Sequence, residues 1–258
     1  MSDPATKADI AKSAAAKHAA ALVKDGMKIG LGTGSTAAWL IKHLADRQRQ
    51  ENLRFTGVPT SLQTADLATA EGLMLTTLDQ AKWLDLTIDG TDEFDEDLSL
   101  VKGGGGALLR EKIVATASDR MVVIADDTKR VSTLGAFPLP VEVVGFGLST
   151  TQMLLEEMLE GLDVTGNKAI PRMVGDDLFF TDEGHHIIDL HLGRIGDARQ
   201  LSLVLNQVPG VVENGLFVDI CDLVITGYAD GTTSERGIET VAPLRAEENN
   251  VFKDLTDA

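Results

Sequence analysis

Between Thr87 and Lys112 the chain reads TIDGTDEFDEDLSLVKGGGGALLREK, and this stretch concentrates side chains able to move protons. Asp89 closes an apolar run, and Asp92 follows after a short turn. Two carboxylates beyond the carboxyl end of a strand can act as acid and base, coordinate a cation or bind hydroxyls. A calcium loop fits poorly, because the spacing lacks the glycine at the sixth position and the closing bidentate glutamate. Asp95, Glu96 and Asp97 read as an exposed acidic turn without chemistry. Lys102 precedes four glycines and can present an ammonium to a phosphate or a developing oxyanion. The glycines are entropically costly, and a close approach of backbone to ligand is a compensation for that cost. Glu111 follows among Leu108, Leu109 and Ile113. Facing a cleft there, it would be partly desolvated, which raises a carboxyl pKa toward that of a working base.

A second candidate is GLGTGSTA, residues 30–37. Gly32, Gly34 and Ala37 fit the loose G-x-G-x-x-A form of a dinucleotide turn. The second strand-like run ends in FTGVPTS, without the acid that would hold nicotinamide ribose hydroxyls. Free N–H groups at a helix start, with the hydroxyls of Thr33, Ser35 and Thr36, suit a terminal phosphate at least as well. A tight turn with Ser or Thr capping the helix explains the segment equally well. No Walker lysine follows, which excludes an NTPase P-loop. Lys129, in ADDTKRV, follows another strand end and can reach the same cleft.

Other residue types offer less. His185, His186 and His191 lie on strand-like runs, where adjacent side chains point to opposite faces, so no shared metal is expected. Ser35 lacks partners for a nucleophile motif. The lone Cys221 sits in an apolar run and reads as a small buried hydrophobe, with no disulfide framework. A net charge of −17 argues against a nucleic-acid binder while leaving room for a local positive pocket. The N-terminus shows no secretory signal and no apolar run reaches membrane-spanning length, so a cytoplasmic soluble protein is expected.

These residues need a frame. Residues 7–24 are Ala-rich with helical spacing; MKIGLGTGSTAAWLIKHLADRQRQ reads as strand, turn and helix. LRFTGVP, LMLTTL, WLDLTIDG and RMVVIAD are further strand-like runs, an alternation that predicts βαβ units and a helix-covered parallel sheet. The pattern changes at GAFPLPVEVVGFG. Beyond it, helix-like STTQMLLEEMLEGL and DARQLSLVLNQV alternate with strand-like DLFFTDEG, HHIIDLHL and GLFVDI, an α+β pattern that predicts a smaller second domain. CDLVITG reads as a buried strand returning to the first sheet, and the tail from Tyr228 is polar and weakly patterned.

Taken in order, GLGTGSTA, DGTDEFD, KGGGGALLREK, ADDTK, FPLPVEV and VPGVVENGLF resemble the type A ribose-5-phosphate isomerase family over nearly the whole chain. The resemblance implies an α/β fold: a Rossmann-like open parallel sheet with helices on both faces, over residues 1–134 and 219–258. It also implies an inserted ferredoxin-like α+β domain over 135–218. The implied reaction interconverts D-ribose 5-phosphate and D-ribulose 5-phosphate, in the non-oxidative pentose phosphate pathway, without cofactor or metal. In the family motif Glu111 is the base acting through a cis-enediolate, Asp89 and Asp92 handle hydroxyls and ring opening, and Lys102 holds substrate and stabilises the oxyanion. Thr33, Gly34, Ser35, Thr36, Gly90, Thr91, Gly103, Gly104, Gly105 and Lys129 would complete the substrate pocket. The implied partners are a sugar phosphate and further copies of the chain, as a homodimer or homotetramer, with no nucleic acid and no membrane. DGTDE stands where the family has DGADE, and the tail runs about 30 residues past the family's usual end. An amino-sugar phosphate deaminase/isomerase, a noncatalytic sugar-phosphate sensor and an NAD-dependent dehydrogenase are the alternatives. Retention of Asp89, Asp92, Lys102 and Glu111 together argues for turnover.

Overall fold

The computed structural model describes residues 6–237. Helix α1 (Lys7–Ala20) opens on a capping box, in which Thr6 Oγ1 accepts from Asp9 N and the Asp9 carboxylate accepts from Thr6 N. Strand β1 (Lys28–Leu31), α2 (Ser35–Glu51) and β2 (Thr56–Pro59) form the first βαβ unit. Next come α3 (Leu62–Ala70), the single turn α4 (Leu78–Ala81) and β3 (Leu86–Asp89). Two short strands, β4 (Glu93–Phe94) and β5 (Leu100–Val101), precede α5 (Leu108–Thr116). Strand β6 (Met121–Asp126) then runs into a 3₁₀ turn, Asp127–Lys129.

The chain continues through β7 (Leu139–Val143), α6 (Leu148–Leu159) and β8 (Lys168–Pro171). A hairpin of β9 (Met173–Val174) and β10 (Asp177–Leu178) leads to β11 (His186–His191), α7 (Ala198–Leu205) and β12 (Val211–Asn214). Strands β13 (Leu216–Phe217), β14 (Leu223–Gly227) and β15 (Thr233–Gly237) complete the described chain.

The main sheet has the order β15-β14-β6-β3-β1-β2 and is parallel except for β15 at its edge. Strands β3, β6 and β14 are buried along their whole length, which their near-continuous aliphatic runs allow. Ile29, Leu31, Ile88, Ile124 and Ile225 pack on one side with Leu40, Ile41 and Leu44 of α2 and the alanines of α1. Val123, Ala125, Val224 and Phe217 form part of a second apolar cluster. The second sheet, order β12-β7-β11-β8, is antiparallel with a βαββαβ chain order, and its core joins Leu139, Val141, Ile188 and Leu190 to Leu155, Leu201 and Leu205. Together these are the α/β class with a ferredoxin-like insertion.

Helix α1 lies over β6, β14 and α2, and small side chains permit the close fit: Ala15, Ala16 and Ala19 have no exposed surface. At Gly227 a Cβ would stand 1.9 Å from the Ala11 carbonyl oxygen, so glycine there seats the N-terminal half of α1 against the sheet.

Several sequence expectations change. LMLTTL makes no sheet strand: Leu75 forms a lone bridge with Gly57 and Leu78 begins α4. DLFFTDEG is strand only at Asp177–Leu178, because residues 179–184 turn back to start β11. β7 falls inside the segment that composition marked as a boundary, and its five residues are all buried. The weakly patterned tail contributes β15 as an antiparallel edge strand, and its part beyond Gly237 lies outside the described residues. Among the described residues no helix is long and apolar enough to cross a membrane.

Candidate active site

Adjacent parallel strands β1, β3 and β6 end on the same side of the sheet, which is where open α/β sheets collect ligands. Their ends deliver residues 32–36, residues 89–92 and Lys129. The glycine run 103–106 and the first turn of α5 close the space from the other side. One cavity of about 120 Å³ results, lined by Thr33, Gly34, Ser35, Thr36, Gly90, Thr91, Asp92, Lys102, Gly103, Gly104, Gly105, Glu111 and Lys129. That is well below the roughly 300–1,000 Å³ of pockets for drug-sized ligands, and suits a small metabolite better than a dinucleotide. Of the residues singled out from sequence, only Asp89 does not line it; Asp89 is wholly buried.

One end of the cavity is made to attract anions. Helix α2 starts at Gly34 with no side-chain cap, leaving its first-turn N–H groups without intrahelical acceptors. Lys12 also lines the cavity and donates to Ser35 Oγ at 3.0 Å. Nothing in the sequence singles Lys12 out: it stands in an Ala-rich helix between Lys7 and Lys17, and only the seating of α1 on the sheet turns it toward the site. Lys129 adds a second half-buried ammonium. Thr33 departs from the expectation that its hydroxyl faces a ligand. Its Oγ1 lies in a buried cluster with Thr60 Oγ1 and Ser61 Oγ, both at 2.8 Å, and Thr64 Oγ1 at 3.2 Å. The hydroxyl therefore anchors the turn to the segment after β2.

The other end holds charges against one another. Asp89 Oδ1 accepts from Thr33 N at 3.0 Å and Gly90 N at 2.7 Å, joining the ends of β1 and β3. The approach is so close that a Cβ on Gly32 would stand 2.0 Å from that oxygen. Lys102 Nζ lies 3.0 Å from Asp89 Oδ2, donates to Gly90 O at 2.6 Å and donates to Glu111 Oε1 at 3.1 Å. Burial works against the Lys102 charge, but Asp89 and Glu111 outweigh it and hold the pKa above the ordinary lysine value. For Glu111, burial first and the Asp89 carboxylate second raise the pKa to about 8, against the opposing pull of Lys102. Glu111 Oε2 is buried and has no hydrogen-bond partner. Asp92 is half-buried, and its Oδ2 accepts from Gly104 N at 2.7 Å.

The remaining acids of the opening stretch are structural. Glu93 is buried and accepts from Gly135 N and Phe137 N, clipping residues 135–137 to the site's underside. Asp95 Oδ1 caps its own turn by accepting from Asp97 N and Ser99 N. Exposed Glu96 pairs with Arg130. His185 and His186 bind Glu142 and the Phe179 carbonyl respectively, each within the smaller sheet's surroundings.

Comparison with known proteins shows the family. Residues 56–231 match the family described as ribose 5-phosphate isomerase A (phosphoriboisomerase A). The ribose-5-phosphate isomerase A of Ruegeria pomeroyi is 64% identical over 254 residues, covering 96% of this chain and 97% of that one. The structure of ribose 5-phosphate isomerase A from Methanocaldococcus jannaschii superposes with a TM-score of 0.82 at 41% identity, over 90% of this chain and 100% of that one. A D-ribose-5-phosphate isomerase solved in complex with phospho-erythronic acid gives a TM-score of 0.81 at 38% identity, over 88% and 97% of the two chains. In fold and in sequence along its length, this chain belongs to the ribose-5-phosphate isomerase A family.

Proposed function

We propose that the cavity binds ribose 5-phosphate with its phosphate at the Lys12, Lys129 and α2 end and its C1–C2 bond beside Glu111. The enzyme is an aldose–ketose isomerase interconverting D-ribose 5-phosphate and D-ribulose 5-phosphate, and Glu111 carries the proton between C2 and C1 through a cis-enediolate. The observation that carries this reading is a nearly buried carboxyl, Glu111, that lines the cavity and is held through Oε1 by Lys102 at 3.1 Å. A pKa of about 8 places the carboxyl where one group can both take and return a proton near neutral pH.

Neighbouring roles follow from the contacts. Asp92, half-buried at the cavity wall, is the carboxylate available to exchange protons with the sugar's ring oxygen and O1 during ring opening. Asp89 has no exposed surface and holds Lys102 and two backbone N–H groups, so we assign it to positioning and electrostatics rather than to hydroxyl contact. When Glu111 takes the C2 proton it becomes neutral and its hold on Lys102 weakens. The ammonium can then turn a donor toward the oxygen on which enediolate charge develops. Binding of the unreactive phosphate positions the sugar for this step. Nothing dedicated to a nicotinamide enters the scheme.

The same reading takes residues 1–134 with 219–258 as the catalytic unit and 135–218 as the smaller one, in a cytoplasmic homodimer or homotetramer. Exposed Phe146, Met153, Val174 and Phe180 on the smaller unit are apolar surface that association of copies could bury, and sedimentation equilibrium tests it. The lone buried thiol Cys221 suits a reducing compartment.

Deuterium exchange at C2 of ribose 5-phosphate in D2O, followed by NMR, tests the mechanism. Wild type should exchange and isomerise, whereas Glu111→Gln should bind the sugar phosphate and do neither. A wild type that binds without exchange would instead mark a sensor.

A further inference from the structure

The smaller sheet reaches into the site through one side chain. Arg172, between β8 and β9, is gripped by Asp189 of β11: Nε donates to Oδ2 at 2.9 Å and Nη2 to Oδ1 at 2.5 Å. The remaining edge of the guanidinium turns to the glycine run, where Nη1 donates to Gly103 O at 2.8 Å and Gly104 O at 3.2 Å. Phe179 lies beside it, 5.8 Å from ring centre to guanidinium carbon, and fills the space a Cβ on Gly106 would need. Both Arg172 and Asp189 are largely buried, with side chains 15% and 19% exposed.

The peptide unit between Gly103 and Gly104 is planar, so its C=O and N–H point in opposite directions. Arg172 holds the carbonyl; on the other side the Gly104 N–H donates to Asp92 Oδ2 at 2.7 Å. One amide is thus fixed between a cation and the carboxylate assigned to ring opening. Gly103, at φ +103°, sits in a tight turn whose carbonyl also accepts from Gly106 N at 2.9 Å, so Arg172 is the second of two donors that fix this peptide and the charged one. A charge-assisted bond to the carbonyl also polarises the amide and strengthens its donation to Asp92.

We propose that Arg172, oriented by Asp189, is a positioning residue of the isomerase, which sets the orientation of Asp92 through the Gly103–Gly104 peptide. Resting on the function proposed above, this brings a residue of the smaller unit into control of the reacting end. It also separates the two carboxylates of the site: Asp89 is held directly by Lys102, and Asp92 through a peptide held by an arginine that never touches the sugar.

A double-mutant cycle tests it. Arg172→Met should lower kcat/KM for ribose 5-phosphate by about 100-fold, the scale expected for a catalytic group displaced by about 1 Å. In an Asp92→Asn background the same change should cost less than about threefold, because the route through Asp92 is already lost. Arg172→Lys, which keeps one donor and the charge, should recover part of the loss and serves as the first arm of the cycle should Arg172→Met not fold. The Gly104 amide, read by ¹⁵N-labelled NMR without substrate, should move upfield in proton shift and exchange faster with solvent in Arg172→Met. Equal losses in the two backgrounds, or an unmoved Gly104 amide, overturn the proposal. A wild type that does not isomerise ribose 5-phosphate overturns the function reading alone, since the Gly104 signal reports the clamp without turnover.

Discussion

The two ends of the cavity use positive charge in opposite ways. At the anchoring end, Lys12 and Lys129 are half-buried, and the N-terminus of α2 has no side-chain cap. At the reacting end, Lys102 is 2% exposed and enclosed by Asp89, Glu111 and the Gly90 carbonyl. An ion anchored from solvent needs charge left available to it, at modest desolvation cost. A proton carried at carbon needs charges paired with one another, so that burial and neighbours set which group holds it. In a chain of net charge −17, the cations at one end are thus left to the cavity, while the carboxylates at the other are engaged by Lys102.

Lys102→Met is expected to act most strongly. Removing the buried ammonium should lower kcat by roughly 10²–10³-fold while changing KM little, as steady-state kinetics would show. If KM rises instead and kcat holds, Lys102 belongs to the anchor and the contrast between the ends fails.

pH sharpens the contrast next. Glu111 must be ionised to accept the C2 proton, and its pKa is raised to about 8, so kcat/KM should climb with pH below about 8 and level off above it. Asp89→Asn removes a like charge and should move the inflection down. Lys102→Met removes an opposite charge and should move the residual activity's inflection up. Lys129→Met should leave it in place, and a shift there would show that the two ends are electrostatically one.

Lys12→Met and Lys129→Met should each raise KM by roughly tenfold, about the worth of one charge-assisted hydrogen bond, with kcat nearly unchanged. Added salt should weaken wild type toward the variants. The smallest effect belongs to Thr33→Val, which removes the hub of the buried hydroxyl cluster. It should cost about 1 kcal/mol, or about 2–4 °C in Tm for a chain of this size, and calorimetry would read it. A rise in KM for ribose 5-phosphate, with Tm unchanged, would mean that the hydroxyl meets the ligand after all.

Much of the site was legible because its residues are near neighbours in sequence. Asp89, Asp92, Lys102 and Glu111 fall within 23 positions of one another, and the turn before α2 marks itself by glycines and hydroxyls. What each acid does was less legible. Asp89, Asp92 and Glu93 lie within one short run, yet one is sealed under Lys102, one faces the cavity and one clips a distant loop. Spacing along a turn says little about which carboxylate is buried. In the fold, long apolar runs identified β3, β6 and β14. LMLTTL misled because strand propensity is realised only where a sheet neighbour is available, and there the chain offers a single bridge.

The sequence by itself determined the α/β alternation, the stretch that carries the chemistry and the residue types it needs, since periodicity and short-range spacing are local properties. Tertiary structure alone decided that Lys12 of the first helix lines the cavity, that Arg172, between β8 and β9, bonds the glycine run, and that the Thr33 hydroxyl joins a buried cluster. Those outcomes depend on which elements pack together. The partners lie 23 residues apart for Lys12 and Ser35, and 69 apart for Arg172 and Gly103. No pattern along the chain encodes such a distance; the burial of aliphatic faces does.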